Sequence, residues 1–236
     1  MQSCHRVSQL QPQLRQWLIL ATILLTPMTL LADDDQDAKP GWDGLVAVES
    51  SNVAVAYIDP AADFSVFQRV SILDPYVAFR SNWKRDQNRS RSRRVRASDV
   101  ERIKGNVADL FLDVFTERLE AAGYEVVDDA DEDVLILRPA IIDIEITAPD
   151  VRTTGRSRTY VASTGTATLF LELFDSLTGD LLGRAIDRRA AGGTRSIPVH
   201  ANRVTNRADA RREFGVWADK LIGFLDQHYV KAGAAE

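Results

Sequence analysis

Arg156-Ser-Arg-Thr-Tyr-Val-Ala-Ser-Thr-Gly-Thr-Ala-Thr-Leu-Phe-Leu-Glu-Leu-Phe-Asp-Ser-Leu-Thr-Gly-Asp-Leu-Leu-Gly-Arg-Ala-Ile-Asp-Arg-Arg189 reads as a long β-hairpin, and the rest of the fold follows from it. From Val161 the odd positions run Val161, Ser163, Gly165, Ala167, Leu169, Leu171 and Leu173, against Tyr160, Ala162, Thr164, Thr166, Thr168, Phe170, Glu172 and Phe174 at the even ones. A period of two separates an apolar, partly small-residue face from a Thr-rich one, as in a strand covered on one side and wet on the other. Asp175-Ser-Leu-Thr-Gly-Asp180 supplies turn residues, and Leu181 to Arg189 returns antiparallel. Helices are expected to dock on the apolar face, with Gly165 and Ala167 letting one approach closely. The face of Thr164, Thr166, Thr168 and Phe170 is expected to lie open.

Downstream, Gly192 to Val204 reads as a loop. A helix capped by Asn206 follows, with Ala210, Phe214, Trp217, Leu221, Phe224 and Leu225 on one side. Upstream, Val134 to Thr147 reads as a long strand with Val134, Ile136, Ala140, Ile142, Ile144 and Ile146 on one face; Pro139 marks a bulge or an edge. Before it come the acidic turn Asp128 to Asp133 and a short strand, Tyr124 to Val127. Ser98-Asp-Val-Glu101 has the form of a capping box, opening a helix whose stripe Ile103, Val107, Leu110, Phe111, Val114, Phe115 and Leu119 ends at Gly123. Asn52 to Asp59 and Arg69 to Phe79, the latter interrupted at Pro75, are the first strands. The order β-β-α-β-β-β-β-α predicts an α+β domain over residues 45–230: a mostly antiparallel sheet with two amphipathic helices packed on one face.

The 236 residues, 45% hydrophobic and 27% charged, suffice for one well-cored domain. Residues 1–32 combine Arg6 and Arg15, the apolar run Trp17 to Leu31 and a terminal Ala32, the order of a secretory signal peptide cleaved after Ala32; an uncleaved anchor is the alternative. Residues 33–44 read as a flexible acidic linker and 231–236 as a disordered tail. Loss of the two leader arginines takes the net charge from −5 to −7, which argues against nucleic acid as a partner. The single cysteine, Cys4, leaves with the leader, so the mature chain would have no disulfide or thiolate site, and no spanning helix.

The sharpest candidate for binding is the basic segment Lys84, Arg85, Arg89, Arg91, Arg93, Arg94 and Arg96, which reads as a solvated loop because charges this dense repel. Arg156 and Arg158 add to it if the two stretches meet. In an envelope the matching partner is an anionic membrane surface or an acidic envelope protein; the competing reading is a solvated linker that binds nothing. Asp129 to Asp133 imitates a calcium loop, but Val134 stands where its glycine belongs and Ala140 where its last glutamate belongs. No zinc spacing links His200 and His228, Ala190 to Thr194 lacks phosphate-loop spacing, and no Gly-x-Ser-x-Gly elbow occurs. No metal, cofactor or catalytic residue is therefore assigned. The chain reads as a non-enzymatic binding or accessory component of the periplasm. The alternatives are a hydrolase using His200 and a structural protein that associates through its exposed sheet face.

Asp43-Gly-Leu45, Ala78-Phe-Arg-Ser-Asn-Trp83 with Arg85-Asp-Gln-Asn88, Arg138-Pro-Ala-Ile141, Ala148-Pro-Asp150, Gly155-Arg-Ser-Arg-Thr-Tyr160, Asp175-Ser-Leu-Thr-Gly179 and Thr205-Asn-Arg-Ala208 with Trp217-Ala218 form a recognisable set. Together they resemble the bacterial domain-of-unknown-function family number 3313, generally described as candidate lipoproteins, from Gly41 to Asp226. The resemblance implies an envelope protein and brings no established activity. Lipid attachment needs a cysteine just after the apolar run, where this chain has Ala32-Asp33, so the expected N-terminus is an unacylated Asp33.

Overall fold

The hairpin is the spine of the sheet. In the computed structural model, which describes residues 42–48, 52–89, 94–146, 160–161, 165–191, 199–200 and 203–228, it comprises β8 (Gly165–Asp175) and β9 (Leu181–Ala191), paired from Gly165↔Ala191 to Phe174↔Leu181. Its turn closes as its composition dictates: the Asp175 carboxylate accepts from the amides of Leu177 (2.8 Å) and Thr178 (2.9 Å), and Gly179 takes the left-handed conformation at φ 73°. The leader with Cys4, the acidic stretch before Trp42 and the C-terminal tail lie outside the described residues.

Around the hairpin are β1 (Val46–Ala47), β2 (Val55–Ile58), β3 (Arg69–Ile72), β4 (Tyr76–Phe79), β5 (Glu125–Val126) and β6 (Val134–Ile146). The eight strands run β1-β2-β9-β8-β6-β3-β5, with β4 continuing beyond β3 along the same flank of β6. Pairs within β1-β2-β9-β8-β6 are antiparallel, while β3 and β4 run parallel to β6 and β5 parallel to β3. Separate two-residue strands, β7 (Tyr160–Val161) and β10 (Val199–His200), pair with each other. Helices α1 (Trp83–Arg89), α2 (Ala97–Ala121) and α3 (Arg203–His228) complete an α+β domain.

The apolar face of β8 is buried as its alternation demands: Leu169, Leu171 and Leu173 share one cluster with Phe111 and Phe115 of α2 and Phe214, Trp217 and Leu225 of α3. β6 departs from its predicted face. Leu135, Leu137 and Ile141, the odd positions, point into this core. A one-residue bulge between Ile142 and Glu145, with Asp143 at φ 51°, then switches the parity so that Ile144 is buried. Gly165 belongs to the same device, since a Cβ there would lie 2.4 Å from the Glu145 carbonyl; it admits the bulged strand rather than a helix. Pro139 sits inside the sheet and at no bulge, but on one flank it falls in the gap between β3 and β4, a local edge. Leu73 donates to the Leu137 carbonyl on the β3 flank, so Pro139, two residues on, turns its missing N–H toward the break between β3 and β4.

Four further expectations are corrected. Basic residues 83–89 form a helix, not a loop, because Trp83 is buried and anchors them. The cap of α2 lies two residues earlier than Ser98/Glu101: the Asp99 carboxylate accepts from the Arg96 amide at 3.0 Å. Asn206 falls inside α3 rather than at its cap. Of the 33–44 linker, Trp42–Gly44 is a 3-10 turn, tied down by buried Leu45 and by a 3.1 Å ion pair from Asp43 to Arg184.

Candidate functional site: a charged end and an open face

The two long helices are parallel. Arg207 pairs with Asp113 at 3.8 Å, Arg211 pairs with Glu117, and Arg118 pairs with Asp219 at 3.1 Å, so the contacts advance together along α2 and α3. Both N-termini therefore point to the end of the sheet where β6 finishes. Their partial positive charges add to the basic segment that leads into α2.

Seven basic residues less Asp86 give Lys84 to Arg96 a charge of +6, leaving −11 for the rest of a chain of net −5. Lys84, Arg85 and Arg89 lie on α1, and Arg94 and Arg96 follow it. Arg91, Arg93, Arg156 and Arg158 lie outside the described residues. The segment is built onto the body. Trp83 stacks on Phe79 with ring centroids 4.1 Å apart and donates from Nε1 to the Ile146 carbonyl at 3.2 Å. Arg80 binds Asp86 at 3.0 Å, and Asp86 and Glu145 together raise its pKa. Asn88 closes the segment: its Oδ1 accepts from the Val95 amide at 2.6 Å, and its Nδ2 donates to the Val95 carbonyl at 3.3 Å. The lone ion pair to a basic member among the described residues is Arg85 to Asp86, at a loose 3.8 Å.

The opposite end is acidic. Asp131 and Asp133 clasp Arg69, whose hydrogen bonds hold both carboxyls below the ordinary carboxylate range. Ser176 of the hairpin turn binds the backbone of Asp131, which brings Asp175 and Asp180 alongside, and Asp59 donates from its backbone to Leu182 nearby. The acidic run is thus a strand connection with a structural arginine at its centre. Nearby, burial and then a 2.8 Å bond to Asp226 raise the Tyr124 phenol.

The second face of the sheet carries no described helix, and its character differs from the sequence expectation. Thr168 is buried, and Glu172, only 5% exposed, lies between two arginines. Arg138 Nε donates to it at 2.8 Å and Arg184 Nη2 at 2.8 Å; Arg138 also covers the Phe174 ring, and Arg184 the Phe170 ring. On the core face, Asp187 accepts from Trp217 Nε1 (3.1 Å), Lys220 (2.7 Å) and the Ala54 amide (3.2 Å), joining β9, α3 and β2. Of the histidines, His228 ends α3 against Phe64 and Phe224, and His200 lies on β10 instead of a loop. No described helix is long and apolar enough to cross a membrane.

These features define an α+β domain with one helix-covered face, one face that no described helix covers, and oppositely charged ends. The chain belongs to the DUF3313 family, described as proteins of unknown function, whose sequence profile matches residues 36–221. No curated protein matches it significantly. Among solved structures it is similar to the PelC dodecamer from Paraburkholderia phytofirmans (12% identity, TM-score 0.34, 66% of this chain and 89% of that one). It is also similar to hypothetical protein CT253 from Chlamydia trachomatis (8%, 0.33, 67% and 98%) and a DUF4136 family protein from Bacteroides thetaiotaomicron (14%, 0.32, 76% and 98%). Likenesses this distant carry no functional argument.

Proposed function

We propose that this protein is an exported, non-catalytic accessory component of the periplasm that holds an anionic membrane surface with its basic end. The observation that carries the reading is the Asn88–Val95 clamp, which ties Lys84, Arg85 and Arg89 of α1 to Arg94 and Arg96 at the end where both helix N-termini point. A mature chain of net −7 is repelled as a whole by an anionic surface; charge sorted to opposite ends turns it basic end first. Export rests on the leader sequence, and lipidation is not proposed because no cysteine follows the apolar run. The hydrolase reading gains no support from His200, which stands on β10 opposite Tyr160.

Each basic residue near an anionic bilayer contributes about 1 kcal/mol, so replacing Arg89, Arg91, Arg93 and Arg94 by Ser weakens retention by roughly a hundredfold or more. The measurement is co-sedimentation at low salt with phosphatidylglycerol vesicles, using phosphatidylcholine vesicles as the neutral control. Unchanged retention by the fourfold variant would discard the proposal.

A further inference from the structure

The pairing registers place outward-facing side chains in rows across the open face. One row reads Tyr76–Ala140–Phe170–Ile186–Val55 over β4, β6, β8, β9 and β2. It is apolar along its length and accessible at both ends, Tyr76 being 66% and Val55 39% exposed. The neighbouring row reads Arg138–Glu172–Arg184–Tyr57, and the row on the other side Ile142–Thr168–Arg188. Arginines thus flank the apolar stripe on both sides. Arg138 keeps 55% of its side chain exposed while bound to Glu172, and Arg188 is exposed with no ion pair among the described residues.

We propose that this face is a docking surface for an amphipathic helix of a partner protein, with an apolar stripe and carboxylates along the flank that meets Arg188. Dimensions and charge together select this occupant. Five strands at about 4.8 Å spacing give a stripe about 19 Å long, the length of roughly 13 helical residues. The arginine rows are four residues apart along the strands, about 13 Å, which accommodates a helix about 10 Å across. The surface is independent of the basic end, which lies at the tip of the sheet rather than on its face.

The test uses the full-length chain and a fluorescein-labelled synthetic amphipathic peptide of about 14 residues, with leucines on one face and glutamates along one flank. The control peptide carries lysines at the glutamate positions. The glutamate peptide binds at least about tenfold more tightly than the control; Arg188→Glu removes that preference, and Tyr76→Ser weakens binding severalfold. Both substituted side chains are exposed, and circular dichroism verifies that the variants fold. The fourfold arginine variant of the basic segment retains peptide binding, so the two proposals fail separately. Absence of saturable binding, equal binding of both peptides, or a preference that survives Arg188→Glu overturns the inference. Retention on neutral phosphatidylcholine vesicles that is lost in Tyr76→Ser also overturns it, assigning the face to a bilayer instead.

Discussion

Glu172 shows how a single charge can sit on a sheet face that no described helix covers. Its carboxylate is nearly inaccessible, yet both oxygens are occupied, one by Arg138 and one by Arg184. The two arginines are unequal, since Arg184 is 21% exposed and also holds Asp43, whereas Arg138 is 55% exposed. Removing a well-shielded partner from a buried carboxylate costs far more than removing a solvent-screened one. Arg184→Met is expected to cost about 2 kcal/mol and Arg138→Met less than about 1 kcal/mol, read from urea unfolding midpoints. Equal losses would show that the Glu172 charge is shared evenly, contrary to the geometry. The position of Glu172 in the alternation was legible in the sequence, but its burial was not, because both partners come from other strands.

At the scale of elements, α1 depends on what holds its two ends. Trp83 anchors its start, and Asn88 ties its last turn to Val95 by two bonds. Asn88→Ala removes both, at an expected cost of about 1–2 kcal/mol, and hydrogen exchange at the Val95 amide accelerates. An unchanged Val95 exchange rate means that the segment is held by other contacts. Repulsion among the arginines led the sequence reading to a loop, and the buried tryptophan outweighs it. The hairpin, α2, α3 and the acidic turn were legible because alternation, the helical stripe and turn residues are local signals. The parity of β6 was not, since a bulge is fixed by its neighbours and a run of isoleucines and leucines on both faces conceals it. The inward face of β9 was hidden for another reason. Gly183, Ala185, Asp187 and Arg189 look like surface residues until Lys220 and Glu213 of α3 meet them.

At the scale of the molecule, the acidic end and Tyr124 set opposite limits on stability. Asp131 and Asp133 have lowered pKa values in the fold, so their contribution is present above the unfolded carboxylate pKa of about 4 and is lost as pH falls below it. The Tyr124 pKa is raised, so its contribution is present below the unfolded value of about 10 and is lost as pH rises above it. Melting temperature plotted against pH should therefore fall at both extremes. Arg69→Leu flattens the acid limb and Tyr124→Phe the alkaline limb; a variant that alters the wrong limb contradicts the assignment. Of the binding candidate, composition displayed the arginines, whereas the parallel helices that orient them emerged only from tertiary pairing.

The described outermost strands are short: β1 and β5 have two residues each, and β4, which borders the rest of the second flank, has four. So short a margin offers an incoming strand little backbone to template on, which guards a long, hydrophobic sheet against amyloid-like growth at high local concentration.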